Sequence, residues 1–430
     1  MDMRVKPKQK LVMIGNGMAG VRTIEELLKV APDLYDITVF GAEPHPNYNR
    51  ILLSPVLAGE QTLDEIVLNS FEWYAENSIN LHAGKKVTEV DRVKRVVKAS
   101  DGTEAEYDRL LICTGSNPFI LPVPGKDLQG VIAYRDIADT NAMIEAATKY
   151  KHAVVIGGGL LGLEAANGLM LRGMQVTVVH VQPTLMERQL DTVAGGLLQK
   201  SLEERGLKFL MGAQTQELVG GEDGRVKAIK FKDGTEVPAD LVVMAVGIRP
   251  NTELAQSMRL HVDRGIVVTD TMQTVTDARI YSVGECAAHR GIAYGLVAPL
   301  FEQAKVAANH LAEYGIGLYQ GSLTSTKLKV TGIDLFSAGE FMGGEGTEEI
   351  VMSDPFGGVY KKLVLKDDKL VGACLYGDTV DGSWYFKLLR DGRSVTDLRD
   401  KLMFGESHLG DTGHQGQSKA AAMEDSDEVC

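Results

Sequence analysis

The feature that most constrains this chain is a glycine pattern that occurs twice, each time between a short apolar strand and a helix. The two stretches read KLVMIGNGMAGVRTIEELL and HAVVIGGGLLGLEAANGLML, with their glycines at Gly15, Gly17 and Gly20 and at Gly157, Gly159 and Gly162. In such a unit the first glycine permits a tight turn and the second lets backbone amides approach a pyrophosphate. The third glycine allows close packing of helix on strand. Each copy therefore predicts a dinucleotide-binding βαβ unit.

A second repeat extends the duplication beyond the turns. SDGTEAEYDRLLICTG (100–115) matches KDGTEVPADLVVMAVG (232–247), and the two copies end on Gly115 and Gly247. Each has an Asp-Gly hairpin turn, a short strand, an Asp, four apolar residues and a glycine. From about Tyr319 the composition changes to alternating strands and a closing helix. The predicted fold class is α/β, with two Rossmann-like dinucleotide-binding domains and a small C-terminal α+β domain.

Composition limits the partners and the chemistry. A net charge of -13 over 430 residues argues against nucleic acid or an anionic membrane as partner. The apolar run Leu11–Ile14 is too short for a signal peptide, and no 18-residue apolar span occurs, so a cytoplasmic location is expected. The cysteines stand singly, at Cys113, Cys286, Cys374 and Cys430. We therefore predict no metal site, no local redox dithiol and no catalytic side chain in this chain.

Two dinucleotides in one chain usually mean a flavin and a nicotinamide, since hydride transfer needs a donor and an acceptor. The stretch DARIYSVGECAA (277–288) is an apolar strand that ends at Gly284 and Glu285. It resembles the second flavin motif of the two-dinucleotide-domain flavoproteins, which include glutathione reductase and rubredoxin reductase. The resemblance implies FAD at the first glycine turn and NAD(P) at the second. It also implies that Glu285, where Asp is usual, binds the ribityl chain.

The same resemblance assigns further cofactor contacts. The loop HPNYNRILLSPVL resembles the Tyr-x-Arg-x-x-Leu-Ser segment of rubredoxin- and ferredoxin-reductase relatives, which makes Arg50 a flavin contact. Thr114 and Gly115 follow the strand that leads to the flavin. Glu164 resembles a residue near nicotinamide and flavin, although its place in the first helical turn is also favourable helix electrostatics.

An acid at the end of each second strand would normally bind the adenosine ribose. In the first copy the strand ends at Phe40, and the nearest acid is Glu43, which either fills this role or is a solvated loop charge. In the second copy the position is His180, a ribose ligand when neutral, a partner for a 2′-phosphate when protonated, or a plain strand-end residue. Arg188 would add charge for a phosphate. NADH and NADPH both stay open; NADH is preferred because no Arg or Lys directly follows the strand.

Longer phrases resemble a narrower family. GLVAPLFEQAKVAANHL, LTSTKLKVTGIDLFSAGEF and TVVHVQPTLMERQLD are similar to the large subunit of assimilatory NAD(P)H-dependent nitrite reductase. The resemblance implies an FAD-dependent NAD(P)H dehydrogenase that passes electrons to an iron–sulfur and sirohaem nitrite reductase centre. Residues 41–112 contain no cysteine, so the flavin would reduce its acceptor directly. The alternatives are a stand-alone rubredoxin or ferredoxin reductase, an NADH oxidase, and a flavin-binding sensor or assembly subunit.

The predicted domain boundaries follow the order of the repeats. They are 1–118 and 247–318 for FAD, 119–246 for NAD(P), 319–405 for an interface-like α+β domain, and 406–430 for a disordered acidic linker. The resemblance makes Cys430 a first ligand of a [2Fe–2S] domain absent from this chain, since one cysteine cannot hold a cluster. The iron–sulfur acceptor is therefore expected in cis, in a missing domain, or in trans. The sequence leaves open whether the natural chain continues and whether it forms a homodimer.

Overall fold

The computed structural model describes residues 7–328, 330 and 332–409, which form two compact units. The first contains residues 7–188, Gly195–Thr324 and the described residues between 328 and 333. The second contains Gln189–Ala194, Ser325–Lys327 and residues 334–409. Cys430 and most of the predicted linker lie outside the described residues.

The first unit contains two five-stranded parallel sheets built to the same plan. The strands of the first sheet, in spatial order, are Ile280–Ser282, Arg109–Ile112, Gln9–Ile14, Tyr35–Phe40 and Asn80–His82. Those of the second are Val131–Ala133, Leu241–Met244, His152–Ile156, Gln175–His180 and Lys208–Met211. In each sheet the strand before the glycine turn is central. The α/β class and the duplication are confirmed.

The central strands are apolar because both of their faces are covered. Leu11 and Met13 pack in one cluster with residues of the helices Met18–Val30 and Val297–Leu311. Val12 and Ile14 point to the opposite face and pack in a separate cluster with residues such as Val97. Alternation along a strand buried on both sides produces this continuous hydrophobic run.

Each parallel sheet is accompanied by a three-stranded antiparallel sheet. Their strands are Val87–Asp91, Val96–Ala99 and Glu104–Glu106, and Thr215–Gly220, Val226–Phe231 and Glu236–Pro238. The Asp-Gly pairs lie in the hairpin turns, with φ of +87° at Gly102 and +86° at Gly234. A positive φ is the reason these turns use glycine.

The remaining elements are short strands and helices. Three two-stranded pairs are Asn47–Tyr48 with Val67–Asn69, Ser116–Pro118 with Ile248–Pro250, and Ile266–Val268 with Ala287–His289. The other α-helices are Leu53–Ala58, Phe71–Glu76, Ile137–Lys149, Leu160–Leu171, Thr192–Glu204, Glu253–Ser257 and Gly382–Asp391. The 3₁₀-helices are Arg50–Leu52, Asp64–Ile66, Thr396–Leu398, Leu402–Phe404 and Glu406–His408. Within the described part of the chain, no helix has the length and apolar character needed to span a membrane.

The described residues of the second unit form an antiparallel sheet that packs with the α-helix Gly382–Asp391. The strand order is Ser325–Thr326, Leu335–Gly339, Lys369–Tyr376, Val359–Lys366 and Glu348–Asp354. Gln189–Ala194, inside the predicted NAD(P) domain by sequence, groups with this unit, where the Tyr360 hydroxyl donates to Asp191 Oδ2 at 2.6 Å. The start of the predicted linker, Glu406–His408, is a 3₁₀-helix. The domain boundaries inside the first unit stay a prediction.

Candidate functional site

The first glycine of each turn is required by the backbone. Gly15 and Gly157 have φ of +102° and +125°. A Cβ at Gly15 would lie 2.1 Å from the carbonyl oxygen of Cys113, and one at Gly157 would lie 2.2 Å from that of Ala245. Both the conformation and the close approach exclude any larger residue.

The third glycine of each turn is required by packing. A Cβ at Gly20 would lie 2.7 Å from Met13 Sδ, and one at Gly162 would lie 2.0 Å from the Gly157 carbonyl oxygen. Because glycine has no Cβ, each helix can pack directly against its strand or turn, as the fingerprint predicts.

The second glycine of each turn is different, because nothing crowds it. A Cβ at Gly17 or Gly159 would have no heavy atom within 4 Å. Each glycine is the N-cap of its helix, and neither helix has a side-chain cap. The first-turn N–H groups are therefore available to an anion. The residues of both turns fit the pyrophosphate of a dinucleotide.

Beside the first turn, Glu43 and Arg50 form an ion pair. Glu43 accepts from the Tyr48 hydroxyl at 2.7 Å and from Arg50 Nη2 at 2.5 Å. Burial raises the pKa of Tyr48, so the phenol stays a donor. Arg50 Nη1 also donates to the carbonyl oxygen of Arg135 at 2.7 Å. Glu43, predicted to bind the adenosine ribose, and Arg50, the predicted flavin contact, thus hold each other in place.

Glu285 lies in a second ion pair that continues from Arg135. Its Oε2 accepts from Ser116 Oγ at 2.7 Å and from Arg135 Nη2. At Gly115, where φ is +65°, a Cβ would lie 3.5 Å from Arg135 Nη2 and 3.9 Å from Glu285 Oε2. We call the connected set the flavin-side network: Glu43, Tyr48, Arg50, Ser116, Arg135 and Glu285.

The remaining flavin-side predictions, Thr114 and Gly284, adjoin the same turn. Thr114 Oγ1 donates to the carbonyl oxygen of Asn251 at 2.9 Å. The Gly284 N–H donates to Gln303 Oε1 at 3.0 Å, and a Cβ on Gly284 would lie 3.1 Å from the Ala19 side chain. Separate parts of the chain therefore meet at the first glycine turn.

Near the second turn, Glu164 is buried and hydrogen-bonded. Its exposed fraction is 5%, and Ser54 Oγ donates to its Oε2 at 2.6 Å. The Tyr134 hydroxyl lies 3.3 Å from Ser54 Oγ, and burial raises the pKa of this phenol. The Ser54–Glu164 hydrogen bond joins two helices, Leu53–Ala58 and Leu160–Leu171, across 110 residues of sequence.

The same two helices pack closely because of a glycine. A Cβ on Gly168 would lie 2.7 Å from Leu57 Cγ. Arg172 donates from Nε to the Leu57 carbonyl oxygen at 2.5 Å and from Nη2 to that of Val56 at 3.0 Å. The segment that carries Arg50 is thus fixed against the helix that begins at the second glycine turn.

His180 uses both ring nitrogens within the protein. The Gly158 N–H donates to Nδ1 at 3.1 Å, and Nε2 lies 3.0 Å from Glu187 Oε2. Since Nδ1 accepts, Nε2 carries the proton and donates to the carboxylate. Gly247, the last predicted contact, has φ of +112° and accepts from the Phe119 N–H at 2.9 Å. The cofactor contacts of these residues stay predictions.

Comparison with known proteins agrees with this geometry. Residues 9–310 match the family described as pyridine nucleotide-disulphide oxidoreductase. The chain belongs to this family. Residues 325–393 match the rubredoxin NAD+ reductase C-terminal domain. Family membership implies a flavin and a pyridine nucleotide as cofactors.

Two curated relatives extend the match over most of the chain. A nitrite reductase [NAD(P)H] of Bacillus subtilis (strain 168) is 51% identical over 98% of this chain and 52% of its own length. The assimilatory nitrate reductase electron transfer subunit of the same organism is 47% identical over 93% of this chain and 52% of its own length. The chain thus spans about half the length of these relatives.

A solved structure shows the same architecture. The covalent putidaredoxin reductase–putidaredoxin complex matches with a TM-score of 0.84 and 28% identity, over 94% of this chain and 98% of that chain. The sequence-based recognition of a two-dinucleotide-domain reductase is confirmed.

The cysteines of this family member are buried where the structure describes them. Cys113, Cys286 and Cys374 are free thiols with exposed fractions of 8%, 0% and 0%. Burial raises the pKa of the Cys113 thiol well above its usual value and that of Cys374 to about 12. A buried thiol held protonated is a poor nucleophile. Among the described residues, no cluster of three or more His, Cys, Asp or Glu side chains is arranged to hold a metal ion.

Sequence reasoning missed four polar residues of the site: Ser54, Ser116, Tyr134 and Arg135. Ser54 lies in the quoted Tyr-x-Arg-x-x-Leu-Ser segment, where Arg50 alone was selected. Arg135 follows the strand Val131–Ala133 and carries no local motif. These residues could not be found from the sequence, because each is far from its hydrogen-bond partner along the chain and only the folded structure brings the two together.

Proposed function

We propose that this chain is an FAD-dependent NAD(P)H dehydrogenase module that passes electrons to an iron–sulfur acceptor, within a nitrite or nitrate assimilation system. The observation that carries the proposal is the pair of unobstructed glycine turns, at Gly17 and Gly159, in one compact unit. Two dinucleotides held together in this way suit hydride transfer.

The chain's own residues would bind and orient both dinucleotides. Backbone N–H groups after Gly17 and Gly159 would hold the pyrophosphates. Arg135 and Ser116 hold the Glu285 carboxylate in place by hydrogen bonds, so its position is set before a ribityl chain arrives. The Ser54–Glu164 hydrogen bond fixes the helix Leu53–Ala58 against the helix that follows the second glycine turn, and it satisfies a buried carboxylate.

FAD, held at the first glycine turn beside the flavin-side network, would supply a hydride acceptor whose electrons can leave singly. No described cysteine is placed to relay them, since all three are buried and single. The similarity to a nitrite reductase and to a nitrate reductase electron transfer subunit supports an acceptor of the iron–sulfur or sirohaem type.

The test begins with the purified chain. We expect a yellow protein with FAD, and NADH- or NADPH-dependent reduction of ferricyanide. A separately prepared [2Fe–2S] acceptor should also be reduced, and a control without the chain should show no reduction. This result would support an iron–sulfur acceptor of the kind expected in an assimilation system. Colourless protein that cannot be reconstituted with FAD would refute the proposal.

A second candidate is a stand-alone rubredoxin or ferredoxin reductase. The observation that favours it is the match of residues 325–393 to the C-terminal domain of rubredoxin NAD+ reductase. Rubredoxin reduction much faster than that of a [2Fe–2S] acceptor would favour this reading. Rapid peroxide formation without a carrier would instead indicate an oxidase.

A further inference from the structure

We propose that Glu187, positioned by His180, selects NADH over NADPH by binding the 2′-hydroxyl of the adenosine ribose. This inference rests on the proposed function and names its coenzyme. It concerns the end of the strand Gln175–His180, where a nicotinamide-binding fold places its ribose ligand.

The His180 side chain is already hydrogen-bonded within the protein. Its exposed fraction is 8%, and both nitrogens are engaged, Nδ1 with the Gly158 N–H and Nε2 with Glu187. The ring lies against the glycine turn, because a Cβ on Gly158 would be 2.7 Å from both His180 Cγ and Leu185 Cδ2. The imidazole occupies the space that a side chain at position 158 would need, and its Nε2–H points to the Glu187 carboxylate.

Glu187 has the acceptor that the strand end lacks. Its Oε2 accepts from His180, and Oε1 has no hydrogen-bond partner among the described residues. The carboxylate is 37% exposed, so a ligand can reach it. Through His180 it is connected to the Gly158 amide, which belongs to the proposed pyrophosphate-binding turn. A carboxylate seven residues beyond the strand thereby serves the position where the fold normally has Asp or Glu.

The sign of the charge decides the selectivity. A carboxylate accepts hydrogen bonds from a ribose diol and repels the 2′-phosphate of NADPH. The cation nearest to Glu187 in sequence is Arg188, which is exposed and would favour the phosphate if it faced the ribose. The two neighbouring residues therefore predict opposite coenzymes, and the hydrogen bond from His180 favours Glu187.

The decisive measurement is binding without electron transfer. The FAD-loaded full chain is titrated by calorimetry with ADP-ribose and with 2′-phospho-ADP-ribose. We expect ADP-ribose to bind on the order of tenfold tighter or more, as expected for a carboxylate facing a phosphate at a protein surface. Equal affinities, a preference for the phosphorylated probe, or no binding of either would overturn the proposal.

Variants then assign the preference. Glu187→Gln keeps the hydrogen bond with His180 and removes the charge, so the ratio of the two dissociation constants should fall about tenfold. Glu187→Asp keeps the charge but has a shorter side chain. It should therefore lower the affinity for ADP-ribose, while the discrimination against 2′-phospho-ADP-ribose remains. Glu222→Gln, in the exposed turn after the strand Thr215–Gly220, is the matched control and should change neither constant.

An unchanged ratio in Glu187→Gln, or a ratio that moves only in Arg188→Gln, would contradict the role of Glu187. Ferricyanide reduction with NADH and NADPH is measured on the same samples. Discrimination between the probes without reduction by either coenzyme would retain the Glu187 assignment and refute the dehydrogenase. Ferricyanide reduction together with an unchanged ratio of dissociation constants in Glu187→Gln would retain the dehydrogenase and refute the Glu187 assignment.

Discussion

The two glycine turns have a similar backbone conformation at their first glycine and differ at the residue between their first two glycines. In the first turn this residue is Asn16, whose Oδ1 accepts from the Tyr74 hydroxyl at 2.7 Å and whose Nδ2 donates to the His45 carbonyl oxygen at 3.3 Å. In the second turn it is Gly158, and the His180 ring occupies the space.

This difference separates what the fold requires from what the ligand requires. Gly15 and Gly157 are needed for the same steric reason in both copies. The middle residue decides whether the side chain at the strand end can turn into the loop. In the first turn, Asn16 is hydrogen-bonded to Tyr74 and His45, and the acid beyond the strand, Glu43, pairs with Arg50. In the second turn, Gly158 leaves room for the His180 ring, which in turn contacts Glu187.

The largest expected effect comes from the first glycines. Gly15→Ala and Gly157→Ala should each destabilise the fold by more than about 3 kcal/mol, because a positive φ and a contact near 2 Å combine. Urea unfolding followed by circular dichroism measures this. If either variant kept wild-type stability, the two turns would not share the backbone constraint.

Next comes the hydrogen bond that joins the two halves of the site. Ser54→Ala removes a hydrogen-bond donor to the buried Glu164 carboxylate and should lower the free energy of unfolding by about 1–3 kcal/mol. It should also slow flavin reduction by NADH in a stopped-flow experiment. Ser257→Ala, in an exposed part of the chain where the hydroxyl donates to a backbone carbonyl, is the matched control. Equal stability losses in the two variants would contradict the special place of Ser54.

The second glycines distinguish the cofactors. Gly17→Ala should lower FAD affinity about tenfold, or about 1.4 kcal/mol, while Gly159→Ala should lower ADP-ribose affinity by a similar factor and retain the flavin. Neither should unfold the chain, since no heavy atom lies within 4 Å of either Cβ position. Loss of both ligands in one variant would show that the two turns are not independent.

The smallest effect is a pH dependence beside the flavin-side network. Burial, and then the neighbouring Asp136, raises the pKa of Asp139 to about 6, and Asp139 Oδ2 accepts from the Arg135 N–H at 2.7 Å. A carboxyl whose folded pKa is raised stabilises the fold most below its usual pKa, and this contribution is lost as the pH rises through about 6.

Asp139→Asn should therefore flatten the change in Tm between pH 4 and pH 7 relative to the wild type. Asp233→Asn, an exposed carboxyl whose pKa is lowered by hydrogen bonds to Thr235, should not flatten it. Parallel Tm curves for Asp139→Asn and wild type would contradict the raised pKa.

Local patterns were sufficient for much of the fold. Strand, glycine turn and helix follow one another directly along the chain, within Gln9–Val30 and within His152–Leu171. The Asp-Gly hairpins are local as well, so short-range steric limits suffice to specify these elements. The C-terminal sheet and helix were also visible as alternating strands with a closing helix. The membership of Gln189–Ala194 in the second unit was not, because it depends on the contact of Asp191 with Tyr360, 169 residues later.

By itself, the sequence determined two dinucleotide-binding units, the residues of their turns and a family. Only the tertiary structure decided how the polar residues pair: Arg135 with Glu285 across 150 residues, Ser54 with Glu164 across 110, and His180 with the Gly158 amide and Glu187. The physical reason is that a glycine turn is specified by steric limits within a few residues. A buried hydrogen bond depends instead on where the packing of whole strands and helices places its two ends.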